Sequence, residues 1–107
     1  SISSILTRIT GNALLVGALL VVWWFVAAAT SPEYFAFADA IVTSWLGDLV
    51  MFGSLWAIWY HTLAGVRHLI WDNGVGLELA TAHKLGWAVV YGSFGLTAVS
   101  ALIIVSL

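Results

Sequence analysis

The sequence predicts an all-α integral membrane protein with three transmembrane helices. Three observations carry that prediction. Of 107 residues, 63% are hydrophobic and only 7% charged, with a mean hydropathy of +1.08, so the chain cannot furnish the charged surface of a soluble domain. The apolar residues fall in runs of at least the ~20 residues that a helix needs to cross a bilayer. Breakers and charges gather mostly between those runs. No internal repeat or linker divides the chain, so residues 1–107 read as one transmembrane domain. Cysteine is absent, which removes disulfides, thiolate chemistry and cysteine-held clusters. The net charge of −2 says little, because position outweighs sum in a membrane protein.

The first span is expected over about 9–29, ending at "TSPEYFAFAD", where Pro32 and two acids mark a loop. Before it, Ser3 or Ser4 could cap a helix and Arg8 could snorkel to the interface. A sequence opening on serine is expected to follow a removed or upstream segment, and the first apolar run is too long for a signal peptide. The second span is expected over about 40–71, ending at "DNGVGLELATAH", whose Gly74 and Gly76 break the helix. It exceeds what the bilayer requires, so it should tilt or project. The third is expected over about 84–107.

In this arrangement all three basic residues, Arg8, Arg67 and Lys84, fall at one membrane face, while the opposite loop carries Glu33 and Asp39. The positive-inside rule then places the N-terminus on the cytoplasmic or matrix side of a bacterial cytoplasmic or mitochondrial inner membrane. Trp23, Trp24 and Trp45 fall toward the outer interface, Trp71 and Trp87 toward the inner one. Trp56 and Trp59 lie too deep for either belt and should pack against helices or a ligand.

The stretch "WYHTLAGVRHLIWD" concentrates polar residues in an otherwise apolar span. A helix turns about 100° per residue, so positions four and seven apart share a face. His61 therefore shares a face with Gly53, Ala57, Gly65, His68 and Asp72. Small residues flank one imidazole within the membrane, and polar groups appear as the face nears water. Two readings follow. Gly and Ala could admit another helix, with His61 making one interhelical hydrogen bond. Alternatively, a flat macrocycle lies in the groove with His61 as an axial iron ligand, and its propionates meet Arg67 and His68 at the interface. His68 lies roughly 10 Å farther along the helix and His83 is similarly shallow, so a second axial ligand would have to come from another chain.

In "SSILTRITG", Ser4 and Arg8 stand one helical turn apart. A cap and a topology anchor would account for both. Yet a cation in the first turn opposes the helix dipole. A hydroxyl, a guanidinium and the nearby Asp72 would suit a quinone head group, which needs donors to its carbonyl oxygens and an acid to relay protons.

"HTLAGVRHLIWD" resembles the H-x-x-x-G-x-R-H-x-x-x-D signature in the second transmembrane helix of the large cytochrome b anchor subunits of succinate dehydrogenase, respiratory complex II. "SSILTRITG" resembles the S-I-x-x-R-x-[TS]-G segment before that family's first helix. The resemblance covers nearly the whole chain. It implies haem b ligated by His61, with the other histidine from a small anchor subunit that completes the helical bundle. It implies Arg67, His68 and Gly65 at the haem, and Ser4, Arg8 and Asp72 at a ubiquinone pocket beside the iron–sulfur subunit. A flavoprotein subunit would oxidise succinate, and this chain would hold the complex on the membrane. One departure is Thr7, where many relatives carry a histidine that contacts a propionate. A pigment-binding antenna subunit and a haem-free anchor of fumarate reductase type are the competing classes.

Overall fold

The computed structural model describes residues 2–107, without the side chain of Ser3. It consists of helices α1 (Ile2–Thr30), α2 (Pro32–Val42), α3 (Trp45–Asp72) and α4 (Leu79–Ser106). Three segments, Ser4–Thr30, Trp45–Asp72 and Leu79–Ser106, are long and apolar enough to cross a membrane. The protein is therefore a multi-pass membrane protein, as its composition predicts. The 28 residues of α3 span about 42 Å at 1.5 Å per residue, well beyond the ~30 Å hydrocarbon core.

The element ends differ from those expected. Helix α1 already includes Ser4, so Ser4 lies inside the first turn and does not cap it. The Ser3 side chain lies outside the described residues. The segment expected as a loop after the first span is the helix α2. Ser31 caps it, accepting from the Tyr34 backbone N–H at 3.1 Å, and Pro32 sits at its start, where a missing N–H costs nothing. Glu33 in the first turn suits the helix dipole. Residues 40–42 thus belong to α2, and the second span begins at Trp45 after a cap by Ser44, which accepts from the Gly47 N–H at 3.3 Å. The third helix starts at Leu79, ahead of Lys84. Hydropathy marks where a helix is apolar, whereas caps decide where it begins.

Helix α3 is central, with α1 and α4 both packed along it and α2 folded back chiefly on α1. Small residues let α1 and α3 approach: a Cβ on Gly17 would collide with the Ser54 hydroxyl. Gly47 is similarly crowded, since a Cβ there would run into the carbonyl oxygens of Ile41 and Val42 at the α2–α3 corner. Trp23 donates to the Tyr34 hydroxyl at 2.8 Å and Trp24 to Asp39 Oδ1 at 3.1 Å, fastening α2 to α1. Trp56 and Trp59 pack on α4, donating to Ser93 at 3.0 Å and Ser100 at 2.9 Å. The buried polar residues Thr10, Ser54, Ser93 and Thr97 each return a hydroxyl proton to a carbonyl of their own helix. Most large apolar side chains face outward.

Candidate functional site

His61 lies eleven residues before the end of α3, which is about 16 Å along the helix axis. Its ring is half-buried, and its Nε2 is fully enclosed with no hydrogen-bond partner among the described residues. The nitrogen is directed at α1: a Cβ built on Gly11 would stand 3.7 Å from Nε2 and 3.9 Å from Cε1. Ser54 meets Gly17 on the same side, so α1 covers the face of α3 that carries Ser54, Ala57 and His61. The glycine–alanine stripe is consequently not one continuous groove. Ala57 is fully buried, whereas Gly53 and Gly65 have no neighbour within 4 Å of a Cβ.

Beyond Gly65 the polar residues diverge. His68 Nε2 and Asp72 Oδ1 lie 3.7 Å apart, with side chains 72% and 59% exposed, on the open side of the helix end. Arg67 turns toward α4 instead. Its guanidinium carbon lies 4.8 Å from the centroid of the Trp71 ring, and one terminal nitrogen lies 3.8 Å from the position of a Cβ on Gly86. One residue of helical rotation separates Arg67 from His68, and that angle sends them to different surroundings.

Arg67 borders an open pocket of about 640 Å³ where the start of α1, the end of α3 and the start of α4 meet. Ser4 and Thr7 line it from α1, Trp71 from α3, and His83 and Trp87 from α4. Trp87 donates its indole N–H to His83 Nε2 at 3.1 Å, which places the proton of a neutral His83 on Nδ1. Trp71 donates to the Gly76 carbonyl at 3.1 Å, tying down a reversal in which Gly74 and Gly76 adopt φ of 73° and 72°. Of Ser4, Arg8 and Asp72, the structure brings Ser4 into this pocket. Arg8 and Asp72 are exposed and do not line it.

Sequence reasoning missed Trp71, His83 and Trp87 as pocket residues, having assigned the two tryptophans to an interfacial belt. It missed Gly11 as the residue facing His61, although Gly11 closes the "SSILTRITG" segment. Among the described residues no three His, Asp or Glu side chains cluster as a metal site, and a single-imidazole iron ligand requires no such cluster.

A model of the succinate dehydrogenase/fumarate reductase transmembrane subunit family matches residues 1–100. The chain is 52% identical over 103 residues to the succinate dehydrogenase cytochrome b556 subunit of Paracoccus denitrificans, spanning 96% of this chain and 79% of that one. It is 34% identical over 94 residues to the cytochrome b556 subunit of Rickettsia conorii, spanning 88% and 73%. With the cytochrome b560 subunit of Reclinomonas americana it shares 30% identity over 105 residues, spanning 94% and 73%.

Proposed function

Because the chain belongs to the succinate dehydrogenase/fumarate reductase transmembrane subunit family, we propose that it anchors succinate dehydrogenase in the membrane, holds haem b on His61 and contributes to the site of ubiquinone reduction. The observation that carries this reading is the enclosed, unpartnered Nε2 of His61. An unsatisfied buried polar group costs about 1–3 kcal/mol, and the hydrocarbon core has no water to relieve it. Coordination to iron would supply the missing partner once α1 gives way before that nitrogen. The pigment-antenna reading does not survive the family assignment. A haem-free anchor is opposed by the same orphaned nitrogen.

Haem b supplies one-electron redox chemistry when bound. His61 would hold the iron, and Gly65 leaves the adjoining face of α3 open. Arg67 and His68 lie toward the interface, within reach of carboxylate side arms from two directions. A second histidine for the haem would be supplied by the small anchor subunit, because His68 is about 10 Å farther along α3. That subunit completes the bundle by covering apolar faces this chain leaves exposed.

At the quinone site, Ser4 donates a hydroxyl hydrogen bond and Arg8 stabilises negative charge on the reduced ring. Both are exposed at the start of α1, where the iron–sulfur subunit abuts the membrane. Asp72, paired with His68, relays protons from the aqueous side. Succinate is oxidised on the flavoprotein subunit, and this chain serves the quinone end. The N-terminus lies on the cytoplasmic or matrix side of the inner membrane.

A reduced-minus-oxidised spectrum of the purified complex, with its co-purifying subunits identified, tests the proposal. A b-type spectrum in a complex with flavoprotein, iron–sulfur and small anchor subunits is expected. A complex without reducible haem would make this chain a haem-free anchor.

A further inference from the structure

We infer that the pocket at the junction of α1, α3 and α4 seats the phosphate group of an anionic lipid, with Arg67 and His83 as its ligands. The inference goes beyond the proposed haem and quinone chemistry and does not rest on it.

The charge of the pocket points to an anion. Its walls are largely apolar, with Leu79, Ala82 and Val90 beside the two indoles. Arg67 is the one arginine or lysine there, and no Asp or Glu accompanies it among the described lining residues. Stacking on Trp71, at 4.8 Å from the ring centroid, packs the guanidinium without neutralising it. The acid nearest to it along α3, Asp72, stands beside His68 on the open side of the helix end. A cation among apolar walls is costly unless an anion accompanies it. An anionic occupant therefore suits this pocket better than a neutral one.

The donors suit a phosphodiester. Six residues of helical rotation put Arg67 about 120° round α3 from His61. Its guanidinium thus lies toward Gly86 of α4, whereas the enclosed nitrogen of His61 is directed at α1. His83 lines the pocket from α4. Its Nε2 accepts from Trp87 at 3.1 Å, which leaves Nδ1–H as a donor. A guanidinium fork and an imidazole N–H match the oxygens of a phosphate group.

Depth supplies the lipid. Arg67 lies five residues before the end of α3, and His83 four residues after the start of α4. Both stand within about 8 Å of their helix ends at 1.5 Å per residue, which is headgroup depth. From there His83, Trp87 and Tyr91 form a ladder along α4, with successive ring centroids 6.3 Å and 5.6 Å apart. Trp87 and Tyr91 are exposed, and such amphipathic rings belong where headgroups meet acyl chains. A pocket of about 640 Å³ holds more than a phosphate group, so the glycerol and first methylenes enter with it. Arg8 and Lys84 are exposed at the same end of the bundle and add attraction to an anionic membrane surface, whose headgroups are recognised by basic pockets between transmembrane helices.

The test counts lipid retained by the purified, delipidated complex, by native mass spectrometry, after incubation with phosphatidylglycerol, phosphatidylcholine or inorganic phosphate. The unaltered complex should hold phosphatidylglycerol about tenfold more firmly than phosphatidylcholine. Arg67→Gln should abolish that preference, His83→Ala should weaken it about threefold, and Ala82→Phe should expel the lipid by filling the pocket. No preference in the unaltered complex, or an undiminished one in Arg67→Gln or Ala82→Phe, would overturn the inference. Inorganic phosphate bound as firmly as the lipid would also overturn it. So would exchange of phosphatidylglycerol one for one by ubiquinone, which would make the pocket part of the quinone site. Wild-type lipid retention with a displaced haem potential in Arg67→Gln would give Arg67 to a haem carboxylate instead. If Arg67→Gln did not assemble, Ala82→Phe would decide: loss of the preference supports the site, and an unchanged preference overturns it.

Discussion

Trp56 donates its indole N–H to Ser93 Oγ at 3.0 Å across the α3–α4 contact, and Ser93 donates its own proton to the Val90 carbonyl at 2.7 Å. The serine is fully buried, so one hydroxyl satisfies an indole from a neighbouring helix and stays bonded to its own. The Trp56 ring also stacks on Phe94, with centroids 5.4 Å apart and planes at 24°. Together with the Trp59–Ser100 bond, this holds α4 against the helix that carries His61.

Replacing Ser93 by alanine leaves the Trp56 N–H without its acceptor. Hydrogen bonds between membrane helices contribute about 0.6 kcal/mol on average, and an orphaned buried donor costs about 1–3 kcal/mol. Ser93→Ala should therefore lower the thermal midpoint of the complex, followed by circular dichroism, whereas Ser100→Ala should do less because Ser100 is only half-buried. Equal, negligible effects would show that the indole finds another acceptor.

Gly47→Ala should destabilise the chain by about 1–3 kcal/mol or more, as overpacking does, because the added methyl group would enter the backbone of α2. Gly95→Ala, which meets nothing within 4 Å, should be neutral or mildly stabilising through helix propensity, by up to about 1 kcal/mol. Parallel denaturation curves of the two variants make the comparison.

His61→Ala should abolish or sharply reduce haem incorporation, read as haem per complex. His68→Ala should leave haem content intact and shift its midpoint potential, since His68 faces outward beside Asp72, away from the enclosed His61 nitrogen. If the two variants exchanged phenotypes, the ligand would be His68.

Arg8→Ala should lower the rate of ubiquinone reduction by about tenfold or more, the scale on which loss of a charge-stabilising donor acts. Succinate oxidation with an artificial dye acceptor should be unchanged, because that chemistry belongs to another subunit. If neither rate moved, Arg8 would be a topology anchor alone.

Asp72→Asn removes an acid while keeping a similar shape. Quinone reduction by this variant should slow, and haem content should stay normal, because Asp72 lies eleven residues beyond His61 on α3. A parallel fall in haem content would place Asp72 in the haem seat.

Membrane residence, three spans and the enclosed position of His61 among small residues were legible in the sequence, because each depends on composition or on phase within one helix. An apolar run long enough to span a bilayer has few alternatives to a helix. Helical phase likewise separates His61, Ala57 and Gly65 from their neighbours without knowledge of any other element. The misread segment was 30–39, where Pro32 and the acids resembled a loop. Those same residue types start helices when they stand at the first turn.

What the sequence by itself determined is therefore the fold class and the depth order of polar residues along α3, both consequences of local periodicity in a single apolar solvent. What only the tertiary structure decided is which residues from different helices meet. Gly11 faces His61, Ser4 shares a pocket with Arg67, Trp71, His83 and Trp87, and Arg67 parts from His68. Those pairings depend on how antiparallel helices slide and rotate against one another. That register is chosen by a few contacts, such as Gly17 against Ser54 and Trp56 on Ser93, between residues more than thirty positions apart in the chain.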